Sequence, residues 1–273
     1  TNAYTGPTRI LQGSLQIKVD GALGIAPAAF DAKNLELHGA RLTIPNESLN
    51  VNRGIWLGEN GGAFAPSSVN SIWTNDCSIS GPGALTIANN MVALGGDNSF
   101  TGGLYMIGGN GPIVTSDSNL GAVPASPEIN LTVSNDWGLA LTAYETFTLH
   151  ANRKINLTRN NQIWVKTGKT LTIDGEITGH ALYISPGGGA TAGTNTRDKV
   201  ELRGTLVLAP GNSYTNKTVV NLGTLRISDD SCLGAIPAPI ADAITLGGDS
   251  PDELPYNAIL EVTDDVMFDA NRG

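Results

Sequence analysis

Charge is scarce in this chain. Of 273 residues only 15% are Asp, Glu, Lys or Arg, and 5% are aromatic. Soluble domains usually carry about 25% charged residues, and helical bundles and coiled coils more still, so those classes are excluded. Cysteine is nearly absent: Cys77 and Cys232 are the two, 155 residues apart, too few for a disulfide scaffold. No run of about 18 apolar residues occurs, so no membrane-spanning helix is encoded. Glycine is not placed at every third position, which excludes collagen. With 16 basic against 25 acidic residues the net charge is −9 and no basic cluster exists, so nucleic acid is not an expected partner.

What the chain has instead is glycine, 34 of them, with 14 prolines, between short aliphatic segments. Leu15-Gln-Ile17, Leu35-Glu-Leu37, Leu42-Thr-Ile44, Ile55-Trp-Leu57, Leu85-Thr-Ile87, Ile155-Asn-Leu157, Leu171-Thr-Ile173, Leu206-Val-Leu208 and Leu225-Arg-Ile227 all alternate with period two. Period two puts the aliphatic residues on one face of a half-buried strand. Gly, Asn, Asp and Pro between them suit turns. No helical stripe of ten residues is found.

The chain repeats itself. Tyr4-Thr-Gly6 returns as Phe100-Thr-Gly102 and Tyr214-Thr-Asn216. Leu23-Gly24-Ile-Ala-Pro27 returns as Leu120-Gly121-Ala-Val-Pro124 and Leu233-Gly234-Ala-Ile-Pro237; Asn52-Arg53 returns as Asn152-Arg153 and Asn271-Arg272. The leucines are 97 and 113 residues apart, and the arginines 100 and 119. The order of markers divides the chain into imperfect repeats at 1–99, 100–213 and a partial one at 214–273. A Gly/Ala/Thr-rich stretch, 185–199, is expected to protrude as a loop. A unit of about a hundred residues holds four or five turns of roughly 20–25 residues. Stacking those turns gives parallel sheets at about 4.8 Å spacing. The expected fold is therefore all-β, a parallel β-helix of about twelve turns forming one continuous body. A pair of β-sandwiches is the competing architecture, with Asp20-Gly21, Asn110-Gly111 and Asp174-Gly175 available as hairpin turns.

These segments resemble the autotransporter-associated β-strand repeat of bacterial surface proteins. The resemblance rests on Phe100-Thr-Gly-Gly103, Gly223-Thr-Leu225, the three Leu-Gly-x-x-Pro turns, Leu35-Glu-Leu37-His-Gly39, Asn52 to Gly58, and Ile79-Ser-Gly81-Pro-Gly83-Ala-Leu85. It implies a right-handed β-helix in an extracellular or bacterial cell-surface protein, acting as a passenger stalk or adhesin.

Chemistry is sparse. His38, His150 and His180 show no metal spacing, and no Cys-x-x-Cys, phosphate loop or nucleophile elbow is present. Asp229-Asp230, Asp249, Asp252-Glu253 and Asp264-Asp265 are the carboxylates a polysaccharide-cleaving β-helix would use, but turn-forming Asp accounts for them. No catalytic, metal or cofactor residue is assigned. The repeated Arg is expected to bond loop carbonyls. Trp56 and Trp164, each flanked by inward aliphatics, should face outward, and they are the candidate ligand-contact aromatics, suited to stacking on glycans. Expected partners are other copies or neighbouring repeats stacked end to end, with surface glycans or host matrix components as further candidates and no membrane insertion by this segment. The leading function is thus a non-enzymatic structural or adhesive module. A self-assembling extracellular fibre and a polysaccharide-active enzyme are the alternatives.

Overall fold

A computed structural model of the chain describes residues 2–44, 48–66, 72–88, 91–108, 111–134, 139–184, 194–195, 200–236, 242–247 and 258–272. The alternating segments are strands throughout. In chain order they are Thr8–Ile10 (β1), Ser14–Gln16 (β2), Asp31–Leu37 (β3), Ala40–Thr43 (β4), Arg53–Leu57 (β5), Gly62–Phe64 (β6), Trp73–Asn75 (β7), Ile79–Ser80 (β8) and Leu85–Ala88 (β9). Val92–Leu94 (β10), Leu104–Ile107 (β11), Pro112–Val114 (β12), Glu128–Val133 (β13), Leu139–Ala143 (β14), Phe147–Leu149 (β15) and Arg153–Val165 (β16) follow. The last are Thr170–Ile173 (β17), Ile177–Ile184 (β18), Thr194–Asn195 (β19), Val200–Glu201 (β20), Thr205–Leu208 (β21), Thr218–Val220 (β22), Gly223–Ile227 (β23), Ile244–Leu246 (β24) and Ala258–Val262 (β25).

Every ladder is parallel except the small β19–β20 pair. The strands pair in the orders β1-β3-β5-β8, β2-β4-β6-β9-β11-β13-β16, β7-β10-β12-β14-β16-β18-β22-β24 and β15-β17-β21-β23-β25. The first and last orders share one side of the coil. Backbone bonds from Ser99 to Ile79 and from Asn98 to Ser118 carry the stack between them. The result is a three-faced parallel β-solenoid, the β-helix expected from the repeat, and the sandwich alternative is set aside by the parallel pairing. The antiparallel β19–β20 pair falls within the 185–199 stretch and beside it. Ten rungs can be traced among the described residues. A turn takes 20 residues from Leu35 to Ile55 but 35 from Leu171 to Leu206, so the corners absorb more chain than a uniform turn would.

Alternation explains the core. Leu35, Leu37, Ile55, Leu57, Ile79, Leu85, Ile87, Leu104, Leu131, Ile155, Leu157 and Ile177 are buried and stack in register from rung to rung. Phe64 and Trp73 close a corner edge to face, with ring centroids 4.9 Å apart.

The sequence copies do not sit above one another. β1, β11 and β22 follow the same marker in the three copies, yet they lie in the first, second and third of those ladders. One copy therefore advances the chain by whole turns plus one face, and each repeated motif walks round the rod.

Candidate functional site

The repeated polar residues meet at the corners. In the first copy Arg53 is 1% exposed, and its Nε and Nη2 donate to the two carboxylate oxygens of Asp20 at 2.8 and 3.1 Å. Its Nη1 donates to the Leu23 carbonyl and to Asn34 Oδ1, and Nη2 donates to the Gly24 carbonyl at 2.7 Å. The second copy rebuilds this clamp: Arg153 donates to Asp117, Asn130 Oδ1 and the carbonyls of Leu120 and Gly121. The third does so again, with Arg272 on Asp230 and on the carbonyls of Leu233 and Gly234. The planar guanidinium fork suits this task, because one group satisfies a carboxylate and several carbonyls at once. The neighbouring asparagine adds a second tie: Asn52 Nδ2 donates to the Pro27 carbonyl and Asn152 Nδ2 to that of Pro124.

The held segments, Asp20–Leu23, Asp117–Leu120 and Asp230–Leu233, are single 3-10 turns, each ending in a glycine with φ near +80°. A side chain at Gly24, Gly121 or Gly234 would overlap the backbone and ring of Tyr4, Phe100 or Tyr214 respectively. The aromatic marker thus lies across the glycine, and its carbonyl accepts from the next amide, Ile25, Ala122 or Ala235. Asn98 and Asn212, two residues before their aromatics, bridge rungs. Each accepts from an isoleucine amide on one side (Ile79, Ile177) and donates to a carbonyl on the other (Asn119, Cys232).

The outer surface holds the two tryptophans named from sequence, on different faces. Trp56 is half-buried on β5, and the Lys33 ammonium lies 3.8 Å from its ring centroid, a cation–π contact. Beside it Glu36 pairs with Arg9 at 2.7 Å and with His38 at 3.2 Å. Burial works to raise the Glu36 carboxyl, but the bonds from Arg9 and His38 outweigh it and hold it below the usual value. Trp164, half-buried on β16, donates its indole N–H to Gln162 and packs with Ile72, Ala93 and Tyr144 against buried Met91 and Ile113. That apolar patch borders a groove of about 390 Å³ lined by Thr74, Asp76, Ile113, Thr115 and Tyr144, among others. The structure does not bring Trp56 and Trp164 together into one platform.

Among the described residues no group of three or more His, Cys, Asp or Glu is placed to hold a metal. Of the carboxylate candidates, Asp230 is consumed by Arg272 and Asp229 caps its turn by accepting from Ser231. Asp249, Asp252 and Glu253 lie outside the described residues. His150 Nδ1 accepts from the Asn152 amide, as Asn50 and Asp269 accept in the other copies. Cys77 and Cys232 are both free and buried.

The family model described as passenger-associated-transport-repeat matches residues 1–17 and 204–227, the segments around the Tyr4 and Tyr214 markers. Those two segments are similar to this passenger repeat. A curated relative, the protein named Adhesin BmaC autotransporter from Brucella suis biovar 1 (strain 1330), is 40% identical over 78 residues. That match covers 24% of this chain and 2% of the relative. No solved structure matches the chain significantly. Within each copy, the aromatic, the Leu-Gly turn and the Asn-Arg pair are parts of one interlocked corner. The Asn that precedes the aromatic by two residues, and the Asp that precedes the Leu by three, belong to it as well. Self-comparison could have found both, since Asn2, Asn98 and Asn212 recur, as do Asp20, Asp117 and Asp230.

Proposed function

We propose that this chain is a non-enzymatic rod segment of an exported, surface-displayed passenger, working as a stalk or adhesive module. The observation that carries this reading is the use of the recurring polar residues. Asp20, Arg53, Asn52 and their counterparts are spent on holding corners, which suits a structural rod. The repeat family and the adhesin relative support surface display. Ten rungs at about 4.8 Å give a rod roughly 50 Å long, bearing Trp56 and Trp164 on separate faces.

The test is display of the chain on a bacterial cell surface, with adhesion scored against immobilised glycans and matrix proteins. Adhesion that falls severalfold in Trp56→Ala or Trp164→Ala supports a contact role for the outer aromatics. Release of oligosaccharide products from uronate or neutral polysaccharides, with or without calcium, overturns the non-enzymatic reading.

A further inference from the structure

The apolar groove near Trp164 is a trench that runs along one strand. Its floor is Ala93, outward on β10, and Gly95 just after it, neither of which fills the space above. On one wall Thr74 lies opposite Ala93, with Ile72 and Asp76 to either side of it on the same rung. On the other wall Ile113 lies opposite Ala93, with Tyr144 behind it on the next rung. The walls stand two rung spacings apart, about 10 Å. The groove's volume of about 390 Å³ falls within the range of roughly 300–1,000 Å³ usual for ligand sites.

The lining sets the chemistry of an occupant. It is mostly aliphatic, yet its charged residue, Asp76, is exposed and has no hydrogen-bond or ion-pair partner among the described residues. A side chain on Gly95 would strike Asp76 Oδ1, so the carboxylate leans over the floor. The Tyr144 hydroxyl is buried and has no partner either. A buried hydroxyl without a partner is a cost to the folded chain, and native structures seldom carry one that nothing meets.

The floor offers no backbone groups, because β10 is paired on both sides, with β7 and β12. An extended peptide laid in the trench would bury its own amides and carbonyls against a surface that cannot pair them. A sugar ring meets the same surface differently. Its C–H face covers the aliphatic floor while its hydroxyls reach the walls and water. An acidic sugar is disfavoured by Asp76. Lys166 lies over the Tyr144 ring, 5.5 Å from its centroid, but does not line the groove.

We propose that this trench binds a neutral oligosaccharide laid along β10. The C–H faces of its rings rest on Ala93 and Ile72, and the Asp76 carboxylate accepts from two neighbouring sugar hydroxyls. A tilt of the Tyr144 ring into the trench pairs the phenol with a third. The proposal rests on the adhesive reading of the rod and names the class of its ligand.

The experiment is titration calorimetry on the full chain. Cellotetraose, mannotetraose and maltotetraose are the neutral probes, tetragalacturonate is the acidic one, and a tetrapeptide of alternating leucine and lysine represents an extended chain. The expected result is saturable binding of at least one neutral probe, with weaker binding of the acidic probe and the peptide. Asp76→Ala, and Ala93→Leu, which fills the floor, should each weaken the neutral probe at least tenfold. Tyr144→Phe should weaken it severalfold without lowering the melting temperature, because the hydroxyl it removes has no partner in the free chain. Tyr105→Ala, on another sheet, should change nothing. Failure of every neutral probe to bind, preference for tetragalacturonate or the peptide, or full affinity in Asp76→Ala and Ala93→Leu overturns the proposal. If those two variants also keep the adhesion of displayed cells, the ligand sits elsewhere on the rod and the adhesive reading stands. A parent chain that confers no adhesion removes that reading itself.

Discussion

The Tyr214 hydroxyl lies 2.6 Å from Thr218 Oγ1, and both side chains are buried. Tyr4 and Thr8 repeat the pair at 2.7 Å. The middle copy has Phe100 and Leu104 at the same places, so both hydroxyls are missing together. A buried polar group without a partner costs about 1–3 kcal/mol, whereas removing both members of a pair is nearly neutral. Tyr214→Phe should therefore lower stability by about that amount through the stranded Thr218 hydroxyl, and Tyr214→Phe with Thr218→Val should recover most of it. Urea denaturation of the two single variants and the double variant gives the coupling. Additive effects would show that the hydroxyls do not act as a pair.

The Arg153 clamp should be among the most sensitive points of the rod. Removing one partner of a buried, hydrogen-bonded ion pair costs roughly 3–5 kcal/mol. Arg153 is fully buried against the Asp117 carboxylate, Asn130 and the carbonyls of Asp117, Leu120, Gly121 and Ala122. Arg153→Ala is expected to lose stability in that range. Arg153→Lys should recover little, because an ammonium cannot span the carboxylate and the carbonyls together. Hydrogen exchange should localise the loss to the 117–124 turn and its neighbouring rungs. Full recovery by Lys would show that charge, not the fork, holds the corner.

Gly121 tests the packing of the aromatic across the turn. Its φ is +87°, and a side chain there would overlap the Phe100 backbone and ring. With ψ −171° its backbone lies in a region essentially restricted to glycine, so Gly121→Ala should add about 1–3 kcal/mol of backbone strain to the overlap with Phe100. Gly168 has φ +76° with open space around it, so Gly168→Ala carries no overlap and should cost less. Equal melting temperatures for the two variants would remove the packing argument.

Period two and self-comparison make the solenoid legible from sequence, because a strand that buries one face must alternate and stacked turns must repeat. The guanidinium's structural role is legible too, since an arginine recurring beside Asn suits loop carbonyls. Its carboxylate partner is less evident: Asp20 lies 33 residues before Arg53, and Asp230 lies 42 before Arg272. The rotation of each copy by one face is hidden for a similar reason. It depends on how much chain every corner absorbs, and the corners vary while the strands do not. Nor does alternation say what covers an outward side chain. It places Trp56 outside, but Lys33 reaches it from the same strand's neighbour, β3.

Stability should hold a plateau in pH bounded on both sides by named groups. On the acid side, Lys154 and Ser213 hold Glu176 below its ordinary value of 4.5, and Arg9 and His38 do the same for Glu36 against the effect of burial. A carboxyl depressed in the folded state contributes above its unfolded value and loses that contribution as pH falls. On the alkaline side, burial, aided by Asp20 and Asp76, pushes the Cys77 thiol from 9.0 up to about 12. Burial likewise raises the Tyr214 phenol above 10.0. These groups keep their protons when folded and lose them when unfolded, so their contribution is complete below 9.0 and declines as pH rises above it. Urea midpoints should be flat between about pH 5 and 9 and fall on either side. Cys77→Ala removes one of the two alkaline groups, so its midpoint should fall less steeply between pH 9 and 10 than that of the parent, whatever its stability at pH 7. An unchanged slope in that interval would mean the buried thiol is not retaining its proton in the folded rod.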